Sequence, residues 1–362
     1  MGDATFGIGI LGAAAIAKKN ARAIAKCRNG AVVVAVGSRV LQKAKDFIEE
    51  TSSDSAKPYG SYEEVLEDEN VHGVYIPLPT SLHLEWVKKV ADKGKHILLE
   101  KPIALTPEVT DDILSICQKA NVQLMDGTMW SHSDRARRME EAIAARLEPS
   151  GMGPLKAVTC TFCVAGDAAF LANDIRVKKG LDGLGCLGDM GWYCVRASLW
   201  AYNFEKPVSV SAHAGPLFNN ERVLLHVGAT IIWSDGRRAN FQCGFDQALT
   251  QYLEIAGTHG TVRLDDFVVP YRPDKASFLV TNNHGFTEMD LAVKTETEER
   301  VVNLDVPQEV RMWEDFTDCS RHVLQGGHPN AHWPNIAMLT QKVICAVEQS
   351  ALGGCKTVKI HW

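Results

Sequence analysis

The sequence predicts two α/β domains: a doubly wound Rossmann-type parallel sheet, followed by an α+β domain on a large, open, mainly antiparallel sheet. Three observations carry this. At about 150 residues per domain, 362 residues make roughly two domains. Residues 1–128 alternate short apolar strands with amphipathic helices, the signature of a parallel sheet with crossovers. Beyond residue 130, strand follows strand across turn residues, as in antiparallel sheets. The division is placed at 1–128 and 129–362. The second part is assigned substrate binding and dimerisation, with its last helix free to pack back on the first.

In the first domain, Thr5–Leu11 is an apolar run ending at Gly12, and Ala13–Lys26 has helical spacing. Ala31–Ser38 is β-rich, Val40–Glu50 is helical, and Ser61–Glu67 is a short helix opened by a serine cap. The pairs Val71–Ile76 and Ser81–Lys93, His96–Leu99 and Thr106–Ala120, then the strand Val122–Met125, complete the alternation. Strands this uniformly apolar belong in a sheet covered on both faces. In the second domain, Leu155–Cys163, Val208–Ala214, Val223–Trp233, Arg238–Phe245, Tyr252–Gly257 and Thr261–Asp265 read as strands, with a hairpin at Ser234-Asp235-Gly236. A helix at Pro334–Leu352 closes the chain. With few helices to cover such a sheet, a homodimer through its open face is expected.

Composition excludes several classes. Hydrophobic residues at 46% and charged residues at 23% are those of a globular protein rather than a disordered one. The net charge of −6, without a basic patch, argues against a nucleic-acid partner. Apolar stretches such as Phe6–Ala17 are too short and too rich in Gly and Ala to span a bilayer. The opening Met1-Gly2-Asp3-Ala4-Thr5 has neither a basic region nor an apolar leader core. The ten cysteines lie scattered, mostly in apolar segments, as free thiols do, so a cytoplasmic location is expected.

Gly7-x-Gly9-x-x-Gly12 matches a dinucleotide fingerprint literally, but that frame leaves only Thr5 and Phe6 as strand. In the better frame Gly12 ends the strand and Gly12-Ala13-Ala14-Ala15-Ile16-Ala17 is the phosphate turn, its small residues admitting a pyrophosphate to the helix N-terminus. The position where NAD enzymes carry a ribose-binding carboxylate holds Gly37-Ser38-Arg39 instead, with Lys43 one turn on. A hydroxyl and two cations suit a 2′-phosphate, so NADP is the expected cofactor. Two further segments fall on the carboxyl rim of the sheet: Leu78, Pro79, Thr80 and His83 in one, Glu100-Lys101-Pro102 in the other. Downstream, a Gly-rich loop over Gly183–Gly188 leads into a helix where Asp189 and Tyr193, four apart, share a face. Taken alone, Lys101 reads as well as a surface lysine, Tyr193 as a buried tyrosine and Asp189 as a cap.

The order Gly12-x-Ala14, Pro79-Thr80-x-x-His83, Glu100-Lys101-Pro102, Asp189-x-Gly191-x-Tyr193 and Glu254-x-x-Gly257-Thr258-x-Gly260 resembles the glucose–fructose oxidoreductase/inositol dehydrogenase (Gfo/Idh/MocA) family over almost the whole chain. Many members carry His at the position of Tyr193. The tyrosine resembles the branch of dimeric dihydrodiol dehydrogenase and NADP-dependent D-xylose dehydrogenase, and plant and algal proteins look closer still through Asp126-Gly127-Thr128-Met129-Trp130. The resemblance implies hydride transfer between nicotinamide C4 and C1 of a pyranose (of D-galactose, D-xylose or L-arabinose type), giving an aldonolactone. Tyr193 would be the acid/base, Lys101 the cation that lowers its pKa, and Asp189 a group holding the sugar or Lys101. An ammonium ~4 Å from the phenol gives about 4 kcal/mol at an effective dielectric of ~20, or roughly three pKa units at most. Trp130 and His132, after the last Rossmann strand, are expected at the substrate, Trp130 able to stack on a sugar face. Arg176 resembles positions near the nicotinamide; Phe162 and Asn173 resemble substrate positions. The alternatives are a trans-dihydrodiol dehydrogenase, an NADP-binding regulator without turnover, and an enzyme that keeps its NADP bound. Cys160-x-x-Cys163 and His328-x-x-x-His332 lack the spacing and context of metal sites, and no metal is expected.

Overall fold

The computed structural model describes residues 5–145, 151–272, 274–285 and 294–362. The leader reading of Met1–Ala4 lies outside them. The chain forms two compact units, Met1–His132 with Val306–Gln341, and Ser133–Asp305 with Lys342–Trp362.

The first unit holds the strands β1 (Phe6–Leu11), β2 (Ala31–Gly37), β3 (Lys57–Tyr59), β4 (Gly73–Ile76), β5 (His96–Leu99) and β6 (Leu124–Asp126). They form an all-parallel sheet in the order β3-β2-β1-β4-β5-β6. Its helices are α1 (Ala15–Ile24), α2 (Leu41–Thr51), α3 (Tyr62–Glu67), α4 (His83–Asp92) and α5 (Pro107–Lys119). Sequence chemistry sets their starts. Ser61 and Glu64 close a reciprocal capping box on α3, and Thr106 caps α5 ahead of Pro107. β1, β4 and β5 are buried at every position, as the centre of a doubly covered sheet requires. Lys57–Tyr59, an edge strand of three residues with a proline, was not foreseen.

The unit also takes in a segment from far along the chain. Val306–Gln341 carries a helix at Gln308–Leu324 whose Val310, Trp313 and Phe316 are fully buried. The single break expected at 128/129 therefore becomes a discontinuous unit. Helix 332–352 begins in this unit and ends, from Lys342, in the other.

The second unit opens with α6 (Asp134–Ala144), β7 (Leu155–Cys163), α7 (Ala168–Asn173) and α8 (Trp192–Ala201). The strands β8 (Ser209–Ala212), β9 (Leu217–Phe218), β10 (Leu224–Ile232), β11 (Arg238–Gly244), β12 (Thr250–Gly257), β13 (Gly260–Leu264), β14 (Lys275–Gly285) and β15 (Lys294–Asn303) follow. After α9 (Gln308–Leu324) and α10 (His332–Leu352), β16 (Val358–Lys359) completes a sheet ordered β15-β14-β13-β12-β7-β11-β10-β8-β16, with β9 beside β10. Among the described strands of this second sheet, only β7 and β11 pair in parallel. Register divides the sheet into two faces. Ile231, Ala239, Val158, Ile255 and Val262 line up as a buried row. The adjacent row of Thr230, Asn240, Thr159, Glu254 and Arg263 is polar and partly open. No helix among the described residues is long and apolar enough to cross a membrane.

Candidate active site

The phosphate turn follows the second frame. Gly12 takes φ +103°, a left-handed conformation that excludes a side chain at little cost only for glycine, and its N–H bonds the carbonyl of Gly37 at 2.8 Å. Gly7 and Gly9 serve packing instead: a Cβ at Gly7 would lie 1.9 Å from the Asn70 carbonyl, and one at Gly9 2.7 Å from Val65. Ala14 precedes α1 without a side-chain cap, and no acidic residue sits in the first turn, so the start of the helix at Ala15 and Ile16 is compatible with an anion such as a pyrophosphate.

Helix α2 also starts without a side-chain cap or an acidic first turn. Beside that start, Arg39 and Lys43 are exposed, and Ser38, nearly buried, accepts from Val40 N–H through its Oγ at 3.4 Å. These residues fit a dinucleotide bearing an extra phosphate: α1 for the pyrophosphate, and two exposed cations at a helix N-terminus for the 2′-phosphate.

On the carboxyl rim, Leu78 and Thr80 are buried and Pro79 half-buried. His83 departs from its expected cofactor contact. Its Nε2 lies 2.9 Å from the Leu78 carbonyl and its Nδ1 3.1 Å from that of Ile103, so the ring bridges the loops after β4 and β5. Glu100 and Lys101 follow β5 directly, with a cis bond between Lys101 and Pro102. The Glu100 carboxylate accepts the Tyr75 hydroxyl through Oε1 and the Lys101 N–H, at 3.2 Å, through Oε2.

Trp130 and His132 also differ from expectation. Trp130 is 1% exposed, leaving no ring face open to solvent. His132 Nδ1 bonds Asp315 Oδ2 at 2.6 Å and its ring stacks on Trp333 at 4.3 Å, tying the turn after β6 to the 306–341 segment. The partners of His132 lie about 200 residues downstream, so no local pattern reveals them.

In the second unit the Gly-rich loop is locked by Gly185, whose φ is +60° and whose Cβ would lie 2.0 Å from the Leu224 carbonyl. The loop leads into a π-type turn, Leu187–Gly191, that runs straight into α8. Such wide turns recur at functional sites because they rotate side chains out of regular register. Asp189 stands on this turn and Tyr193 on the first turn of α8, at 5% exposure. Tyr193 meets Phe162 edge-on at 5.9 Å, and Phe162 meets Phe267 at 6.1 Å.

Arg176, expected at the cofactor, bonds instead within its own unit. Its Nε lies 3.1 Å from Asp189 Oδ2 and its Nη1 3.2 Å from Asp174 Oδ1. The Asp189 carboxylate is the main cause holding the guanidinium firmly charged. Asn173 ends α7 and returns its amide to the Ala169 carbonyl at 3.1 Å, an exposed local bond rather than a visible substrate contact.

Around this turn Cys186, Cys194 and Cys243 are fully buried, and burial raises all three thiols above their ordinary pKa. Cys243 Sγ donates to Cys186 Sγ at 4.0 Å, and both remain free thiols. Among the described residues, no group of three or more His, Cys, Asp or Glu could hold a metal.

A family model described as an oxidoreductase family with an NAD-binding Rossmann fold matches residues 6–128, and a GFO/IDH/MocA C-terminal domain model matches residues 141–263. The chain belongs to the GFO/IDH/MocA family. Among similar GFO/IDH/MocA proteins, a D-xylose 1-dehydrogenase (NADP(+)) of Haloferax volcanii is 31% identical over 70% of this chain and 73% of its own. A trans-1,2-dihydrobenzene-1,2-diol dehydrogenase of Xenopus laevis is 30% identical over 65% of this chain and 68% of its own. A 3-ketoreductase from Actinomadura kijaniata, solved with NADP and TDP-benzene, shares the fold with a TM-score of 0.80 at 22% identity, covering 96% of this chain and 98% of that one. This chain is thus an oxidoreductase of the GFO/IDH/MocA family with an NAD(P)-binding Rossmann domain.

Proposed function

We propose that this chain is an NADP-dependent aldose 1-dehydrogenase, oxidising C1 of a pyranose such as D-galactose, D-xylose or L-arabinose to the aldonolactone. The observation that carries the reading is the Asp189–Tyr193 pair on one π-to-α turn, with Asp189 pinned by Arg176. A carboxylate fixed beside a phenol suits a polyhydroxylated substrate: one orients hydroxyls, the other exchanges a proton. Preference for NADP is supported by the carboxylate-free Ser38-Arg39 rim and by the cofactor named for the Haloferax volcanii relative.

When bound, the nicotinamide supplies a two-electron hydride acceptor, or a donor in the reverse direction. Tyr193 takes the proton from the C1 hydroxyl as C1 loses its hydride and the C1=O bond of the lactone forms. A free phenol, with a pKa of about 10, is a poor base near neutrality. In this reading Lys101 supplies the positive charge that favours the phenolate and orients it. Asp189 accepts hydrogen bonds from sugar hydroxyls, and Ala14, Ala15, Arg39 and Lys43 hold phosphates.

The test is a panel of D-xylose, D-galactose, L-arabinose, D-glucose and trans-1,2-dihydrobenzene-1,2-diol with NADP and NAD, compared by kcat/KM. Lys101→Met and Tyr193→Phe are expected to abolish turnover while NADPH fluorescence still reports binding. Full activity in either variant, or turnover of no aldose, defeats the reading. One observation favours a second substrate class: the partly exposed Phe162, packed edge-on against Tyr193, offers an aromatic surface to a dihydrodiol ring. Preference for the diol over every aldose would select it.

The expected homodimer through the open sheet belongs to the same proposal. It is supported by the polar, half-open row along β10, β11, β7, β12 and β13, and sedimentation of a monomer at micromolar concentration would remove it.

A further inference from the structure

A one-way hydrogen-bond chain runs through the interior of the first unit, using side chains that the reading above leaves idle. Trp313 donates its indole N–H to Asn20 Oδ1 at 2.7 Å. Asn20 Nδ2 donates to the Tyr75 hydroxyl at 2.9 Å and to the Ile16 carbonyl at 3.1 Å. Tyr75, having accepted from Asn20, donates to Glu100 Oε1. Trp313 and Tyr75 are 0% exposed and Asn20 2%. Every donor points the same way, so each bond polarises the next, and the chain ends on a carboxylate that can only accept.

The two ends distinguish this chain from ordinary core satisfaction. Glu100 immediately precedes Lys101 and accepts the Lys101 N–H through its other oxygen at 3.2 Å. Gly127 closes the carboxylate's remaining side, since a Cβ there would lie 3.0 Å from Cδ and both oxygens of Glu100. The carboxylate therefore has one place to sit, and the Lys101 backbone is tied to it. At the other end, Ile16 belongs to the first turn of α1, the phosphate turn. Asn20 thus joins the helix that would hold the pyrophosphate to the strand end that carries the lysine.

We propose that Tyr75 and Asn20 are positioning residues: through Glu100 they hold Lys101 in register with a nucleotide seated on α1. The inference rests on the reading in which Lys101 serves the proton transfer. It assigns Glu100 to supporting Lys101, where the sequence suggested a cofactor contact.

The test uses the full chain with NADP and D-xylose, or the fastest aldose of the panel. In Tyr75→Phe, kcat is expected to fall about tenfold, the cost of one hydrogen bond to a charged group, with sugar KM and NADPH Kd changed less than about twofold. The acid limb of the kcat–pH profile moves to higher pH, because a carboxylate that loses a donor holds its proton more tightly. In Glu100→Gln the further Tyr75→Phe change costs less than about twofold, since both act through one group. Trp313→Phe, one bond further from Glu100, gives the same pH shift in weaker form and carries the test if Tyr75→Phe fails to fold. An unchanged kcat and pH profile in Tyr75→Phe, a loss of melting temperature alone, or full additivity with Glu100→Gln overturns the proposal. Lys101→Met separates the two failures. If it stays active, the underlying reading fails; if it is dead while Tyr75→Phe behaves as wild type, only the positioning chain fails.

Discussion

Arg176 and Asp189 stand 3.1 Å apart, Nε to Oδ2, although thirteen positions and a Gly-rich loop separate them in the chain. The same guanidinium reaches Asp174 at 3.2 Å, so one cation orients two carboxylates at the mouth of the turn that carries Tyr193. A substrate hydroxyl that addresses Asp189 meets an acceptor already fixed in direction.

Arg176→Met should therefore weaken sugar binding more than chemistry. Sugar KM is expected to rise about tenfold, with kcat reduced less than about threefold, as for loss of a charge-assisted bond that orders a substrate-binding group. Arg176→Lys, a point charge without the planar fork, should rescue only partly. Steady-state kinetics against a fixed saturating NADP concentration checks this; a purely kcat effect would move Arg176 out of substrate orientation.

Cofactor choice is expected to turn on Arg39. Arg39→Ala should lower NADP affinity about tenfold or more and leave NAD nearly unchanged, because only NADP carries the 2′-phosphate. The Arg39-dependent part of the NADP affinity should shrink as salt rises, since Arg39 is solvent-exposed. Equal losses for NADP and NAD would point to a general folding role.

His96 makes stability pH-dependent. Burial lowers its pKa from 6.5 to about 4, with His72 alongside a lesser cause. The folded chain keeps the ring neutral while the unfolded chain takes up a proton below about 6.5. The stabilisation is therefore full above that pH and is lost as pH falls towards about 4, on the order of 3 kcal/mol in total. Urea midpoints measured from pH 7 to pH 4 should fall accordingly, and a His96→Asn chain should show a flatter curve. An identical slope in that variant would move the effect elsewhere.

Gly185→Ala should be strongly destabilising, because it combines a left-handed backbone with a Cβ driven against the Leu224 carbonyl. A cost of about 2–4 kcal/mol is expected, together with reduced turnover because Asp189 sits four residues on. Wild-type melting and kinetics would show that the loop relaxes freely.

The nucleotide half was legible because its strands are short, uniformly apolar and punctuated by Gly, Ser and Thr, so ends such as Gly12, Ser61 and Thr106 announced themselves. β14 and β15 were not, since Lys294–Asn303 is dominated by Glu, Lys, Thr and Arg, and only its ladder with β14 makes it a strand. Within the charged helix Asp134–Ala144, Arg135 is 1% exposed because it pairs with Asp266, 131 residues away. Candidate site residues marked by a local motif, Gly12, Lys101, Asp189 and Tyr193, stand out in the sequence. The pairings of Arg176 with Asp189, His132 with Asp315 and Glu100 with Tyr75 do not, since those partners lie 13 to 183 positions apart.

The late return of Val306–Gln341 to the first unit has a consequence for biosynthesis. As the chain leaves the ribosome, β1 to β6 emerge almost two hundred residues before the helix that brings Trp313 to Asn20 and Asp315 to His132. Until then Asn20 lacks the indole donor to its side-chain oxygen, and the apolar bed for Val310 and Phe316 lies bare. A gene fragment cut after residue 128 should yield an incomplete, aggregation-prone product, and rescue should come from supplying residues 306–341 in cis rather than from lengthening the fragment by a few residues.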